Sequence, residues 1–95
     1  MIAYQRAVEL MEAELGEEIV ALDVEGGTCF GFNEVASAVW RSLEEPRTFE
    51  MLRNQLLKDY DVGPDQCEAE LGQLLDDLTA KGLIARVEVQ RSQGI

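Results

Sequence analysis

The sequence contains no histidine. That removes the usual general base, the Ser-His and Cys-His nucleophile pairs, and every imidazole metal ligand. Its two cysteines, Cys29 and Cys67, lie far apart with no Cys-x-x-Cys spacing, so a zinc site is not expected. They read as two buried, reduced thiols. No glycine-rich phosphate loop is present, since Gly16 and Gly26-Gly27 stand in short turns with no Gly-Lys-Ser/Thr behind them. No run approaches the roughly 18 apolar residues of a membrane span, and Met1 to Leu15 carry acids where a signal peptide would carry bases. The default expectation is a cytosolic protein without a membrane partner. Bases are also scarce, with 8 Lys and Arg against 19 Asp and Glu, a formal charge of −11. Such a surface repels phosphates and argues against nucleic acid, while a basic peptide or protein suits it. Carboxylate pairs such as Glu17-Glu18, Glu44-Glu45 and Asp76-Asp77 are what this acid content produces by chance, so no catalytic residue and no cofactor are assigned.

What is present is a foldable chain of 95 residues, 46% of them apolar. It is short enough for one core, so a single domain is expected, with its core at about 8–84 and a frayed tail at 91–95. Residues 1–15 support either helical or strand spacing. Gly16-Glu17 then makes a turn, and in the following Glu-Ile-Val-Ala-Leu-Asp-Val-Glu run Val20, Leu22 and Val24 share one face. Gly26-Gly27 is a hairpin signal, and Thr28 to Phe32 alternates with Phe30 and Phe32 on one face. The pattern predicts an antiparallel meander over about 8–15, 18–25 and 28–32.

From Asn33 the period becomes helical. Asn33 caps a helix with Ala36, Val39, Trp40 and Leu43 on its apolar stripe, ended by Glu44-Glu45-Pro46. Thr48 caps a second, with Phe49, Leu52, Leu56 and Tyr60. Pro64 opens a third, with Cys67, Leu71, Leu74, Leu75 and Leu78, stopped by Gly82 with Leu83 folding back. Gly72 is out of place mid-helix: either something passes close to the helix there, or its cost is simply tolerated. Alternation around Val87 and Val89 predicts a short last strand. The expected class is α+β, a winged helix-turn-helix-like arrangement of a three-stranded antiparallel sheet followed by three helices.

A DNA-binding winged helix needs bases on its recognition helix, but Asp61 to Asp77 holds six acids and no base. A peptide-binding module fits better. The edge strand Thr28 to Phe32 offers unpaired backbone groups to an added strand, and self-pairing or strand exchange into a dimer of this otherwise monomeric domain would use the same edge.

Three runs then form an ordered set: Ile19 to Asp23, Gly27-Thr28-Cys29-Phe30-Gly31-Phe32-Asn33-Glu34, and Ala38-Val39-Trp40-Arg41-Ser42-Leu43. With Arg47-Thr48-Phe49 and the Leu74 to Ile84 segment, they resemble the PqqD-like family over about residues 17–84. The resemblance implies a recognition element for ribosomally made, modified peptides. Such a domain captures a precursor's leader as an added strand and presents it to a separate enzyme. Carried over by position, Thr28, Cys29, Phe30, Gly31 and Phe32 would supply backbone pairing, and Glu70, Leu71, Leu74, Asp77 and Leu78 would overlook the groove. Glu70 stands where many members have Asp, and Gly72 where a larger apolar residue is usual. The cofactor-synthesis branch typically carries a Leu-Leu-x-Pro-Glu run; this chain has Leu22-Asp23-Val24-Glu25. That departure favours the free-standing members of lasso-peptide clusters, which serve a leader peptidase. Partnership with a radical SAM modifying enzyme is the alternative, and a DNA-binding regulator the least favoured one. The five apolar site residues, Phe30, Phe32, Leu71, Leu74 and Leu78, equally fit core positions.

Overall fold

The computed structural model describes residues 1–89; the tail expected at 91–95 lies outside them. The elements run β1 (Ile2–Arg6), β2 (Met11–Leu15), β3 (Glu18–Asp23), β4 (Thr28–Phe32), α1 (Glu34–Ser42), β5 (Arg47–Thr48), α2 (Phe49–Asp59), α3 (Pro64–Ala80) and β6 (Ile84–Glu88). The α+β class and the meander β2-β3-β4 are as expected, with antiparallel pairing throughout. A second sheet, in the order β5-β1-β6, was not expected. The first meander strand, Met11–Leu15, is shorter than the expected 8–15, and Ile2 to Arg6 form a strand of their own, paired with β6 from the far end of the chain. Local periodicity carries no trace of a partner so distant in sequence.

Local chemistry explains the helix starts. The Asn33 side chain accepts from the Ala36 N–H at 2.8 Å and the Thr48 hydroxyl from the Met51 N–H at 3.1 Å, each satisfying a free amide of the first turn. Pro64 occupies the first turn of α3. Gly82 adopts φ +76° just past α3, and the Leu83 amide bonds back to the Leu78 carbonyl at 3.0 Å. This closes the helix and returns buried Leu83 to the core. Among the described residues no helix is long and apolar enough to cross a membrane.

The core joins the inner face of the meander to the three helices. Its inward residues are Ile19 and Ala21 from β3 and Phe32 from β4, packed with Val39, Trp40, Leu52, Leu71, Leu75 and Leu78. The Val20, Leu22 and Val24 face therefore points outward; Leu22 is 38% and Val24 62% exposed. The register sets this, because Ile19 stands opposite Phe32 and Ala21 opposite Phe30, so the odd-numbered positions of β3 share the inner face. The expectation of two buried thiols holds for Cys67 only. Cys29 stands opposite outward-facing Leu22 and is exposed, and both thiols are free.

Ser37, fully buried on α1, closes the hairpin against this helix. Its hydroxyl accepts from the Ile19 N–H at 2.9 Å and donates to the Phe32 carbonyl at 3.1 Å, standing between the two members of one ladder pair. Removing it orphans a buried donor and acceptor. Ser37→Ala is expected to cost roughly 1–3 kcal/mol, read as a lower denaturant midpoint at unchanged slope. Gly72 is approached by nothing, since a Cβ built there meets no atom within 4 Å. Gly72→Ala should raise stability by up to about 1 kcal/mol in the same unfolding measurement.

Candidate functional site

In the order β2-β3-β4 the last strand is an edge. The Ser37 bridge shows that Ile19 and Phe32 turn their backbone groups toward each other. Antiparallel ladders alternate, so Cys29 and Gly31 turn theirs away from β3, toward the open side. Thr28, Cys29 and Gly31 are exposed, Phe30 is half-buried, and Phe32 is buried. Between Thr28 and Phe32 no side chain is charged. The opposite edge, β2, differs. Its Glu12 accepts from the Trp40 indole at 2.9 Å and its Glu14 from Arg41 at 2.9 Å. An antiparallel copy of Met11 to Leu15 laid against β2 would set acids among acids, which disfavours pairing there.

A cleft of about 470 Å³ opens where β4 runs into α1 and faces α3. Asn33 and Val35 form one wall; Ala69, Glu70, Gln73, Leu74 and Asp77 form the other. The structure thus brings together three of the five helix residues expected at the groove: Glu70, Leu74 and Asp77. Leu71 and Leu78, at 0% and 3% exposure, belong to the core instead. They lie on the inward stripe of α3 with Leu75, one quarter-turn away from the cleft face. Asn33, singled out in the sequence only as a helix cap, and Val35, Ala69 and Gln73 were not expected at the site. The recoverable signal was the four-residue step Ala69, Gln73, Asp77, which marks one side of a helix.

The helix wall is anionic and ordered. Gln66 donates to Glu70 at 3.2 Å and Gln73 donates to Asp77 at 3.1 Å, so amides hold both carboxylates without neutralising them. Outside β4, the segment that precedes Arg41 is also acidic. From Ala7 to Trp40 the chain carries eight acids and no base. Crowding is visible at the start of α1, where a hydrogen bond with Glu17, reinforced by the charges of Glu17 and Glu18, pushes the Glu34 carboxyl above its ordinary value. The cleft offers two carboxylates, two amides and aliphatic groups. It suits an extended chain whose backbone pairs with β4 while its side chains meet α3.

On the outer side of the meander lies an apolar surface. Met11 and Leu15 are each 65% exposed, and Leu22 and exposed Cys29 continue the same face across the sheet.

Solved structures share the arrangement. The structure of the TbiB1 protein in complex with the TbiA(beta) leader peptide superposes with a TM-score of 0.74 at 27% identity, covering 93% of this chain and 99% of that one. A lasso peptide synthetase B1 complexed with the leader peptide has the same fold, with a TM-score of 0.72 at 20% identity, covering 86% of this chain and 96% of that one. No curated protein sequence matches at a significant level. The family model described as coenzyme PQQ synthesis protein D (PqqD) matches residues 18–84. That span holds the meander's second and third strands, all three helices and both walls of the cleft, and the chain belongs to the PqqD family.

Proposed function

We propose that this protein binds the leader segment of a ribosomally synthesised precursor peptide as an added antiparallel strand on β4, over the cleft formed with α3. The observation that carries this reading is the uncharged, unpaired edge of β4 beside an ordered acidic helix wall. The likeness to TbiB1, solved with a leader peptide, supports it over nearly the whole chain. Backbone bonds from Cys29 and Gly31 supply sequence-independent affinity, and the α3 wall reads side chains. Glu70 and Asp77 favour a leader with basic residues on that side.

The protein itself is non-catalytic in this reading, acts as a monomer in the cytosol, and hands the leader to a separate processing enzyme. That enzyme is the leader peptidase of lasso-peptide biosynthesis. The second reading, a PqqD-type chaperone for a radical SAM modifying enzyme, is favoured by the family description. It keeps the same leader site and changes only the partner. The outer apolar face of the meander is where the enzyme docks, because exposed patches of this kind on a small domain mark contact surfaces.

Two variants separate the two surfaces, each titrated calorimetrically with a synthetic lasso-precursor leader peptide that the wild type binds. Gly31→Pro deletes an outward-facing N–H and leaves the ladder to β3 intact. It is expected to keep the native unfolding midpoint and to weaken leader binding about three- to ten-fold. Equal affinity in a folded variant would rule out β4 as the docking edge. Leu22→Glu places a charge on the outer face. It should leave leader affinity unchanged and sharply reduce leader cleavage by the partner peptidase; undiminished cleavage would remove the docking role of that face.

A further inference from the structure

Nothing within the chain calls for a glycine at position 31. The glycines held at positive φ are Gly16, Gly27 and Gly82, so Gly31 has a backbone that any residue adopts. A Cβ built on it meets no atom within 4 Å, so no neighbour requires its side chain to be missing. A glycine also weakens the strand that contains it. What the missing side chain does here is bare the edge of the outer face.

The ladder registers divide that face into rows. Met11, Leu22 and Cys29 stand side by side in one row, and Ala13, Val20 and Gly31 in the next. The first row is filled out to the edge, with Met11 65% and Leu22 38% exposed. In the second, half-buried Val20 has only Ala13 on one side and Gly31 on the other. Leu15 and Glu18, paired one row further on, form the far bank. The result is a shallow trough that runs over Gly31 and opens at the free edge of β4.

A peptide strand paired with β4 presents one residue directly opposite Gly31, and the pleat puts that residue's side chain on the outer face. The added strand lies about 10 Å from β3, two spacings of roughly 4.8 Å. With no Gly31 side chain between them, a flat ring spans that gap and rests on Val20, whereas an alanine or serine stops short of it. Designed sheets use aromatic side chains in the same way to cover edge glycines. We infer that Gly31 is a specificity-determining residue: it selects a peptide with an aromatic side chain at the position paired with it, and that ring lies over Gly31 against Val20. The inference rests on the strand-addition reading and adds to it a contact on the side of β4 away from the α3 cleft.

A random-sequence peptide display library, applied to the intact wild type and to Gly31→Val, is the test. Gly31→Val keeps the amide that pairs with the peptide, has room for its Cβ and brings a residue of higher strand propensity. Its unfolding midpoint should therefore equal or exceed that of the wild type. The two pools should differ at one position, held by phenylalanine, tyrosine or tryptophan in the wild-type pool and by small residues in the Gly31→Val pool. Alanine at that position should weaken binding to the wild type about three- to ten-fold. Methyl NMR of the wild type locates the ring. A retained peptide should move the Val20 and Ala13 methyl signals upfield, and its alanine variant should not. Identical pools, or ring shifts confined to Val35 and Leu74 on the cleft side, overturn the inference while leaving strand addition in place. An empty wild-type pool would overturn strand addition itself, and selection by Gly31 with it.

Discussion

The indole of Trp40, 1% exposed, is the point at which both sheets are fastened to the first helix. One side of it meets the ring of Phe32, whose centroid is 5.4 Å away, and the Arg6 guanidinium stacks over it at 4.4 Å. Its N–H donates to Glu12, while Arg6 donates to the Trp40 carbonyl at 2.6 Å and approaches Glu12 at 3.6 Å. One side chain therefore gathers β1, β2 and β4 around α1. The contacts are partly buried, where charge-assisted bonds and cation–π attraction are stronger than at an open surface. With Ser37 one helical turn earlier pinning the β3–β4 pair, α1 fixes both the height and the tilt of the edge strand relative to α3. The cleft is a consequence of that placement.

Charge then decides what the edges accept. At a formal −11, self-association of this small chain works against its own repulsion. The acids are distributed to matching effect. Those of β2 are drawn inward to Trp40, Arg6 and Arg41, and deny that edge to a second copy. The β4 edge carries none, and the acids of the cleft, Glu70 and Asp77, stand across it on α3, where the proposed strand addition would set them against basic side chains of the peptide. The figure that argues against nucleic acid at the level of composition becomes, once located, a difference between two edges of one sheet.

The helices were legible because their signals are local. Asn33, Thr48, Pro64 and Gly82 each act within a turn, and each does in the structure what its chemistry suggests. The second sheet was not legible, because β1 pairs with β6 from the far end of the sequence. Strand parity was the subtler limit. Both faces of Glu18 to Asp23 are apolar, so alternation alone left open whether Ile19 and Ala21 or Val20 and Leu22 would be buried. Cys29 was expected inside because free cysteines are usually buried, and it lies outside, on the face opposite Phe30 and Phe32. At the site, the strand segment and Glu70, Leu74 and Asp77 were legible, whereas Leu71 and Leu78 share their apolar character and differ only in helical phase. Asn33 and Val35 escaped notice because they act first as a cap and a helix residue, and reach the cleft only through the turn from β4 into α1.

Amide hydrogen exchange reads directly the proposed pairing of a leader peptide with the outward backbone of β4. On addition of the leader, the Cys29 and Gly31 amides should become strongly protected, while those on the free edge of β2 exchange as before. Protection appearing along β2, or binding that leaves Cys29 and Gly31 exchanging at their free rates, would contradict it.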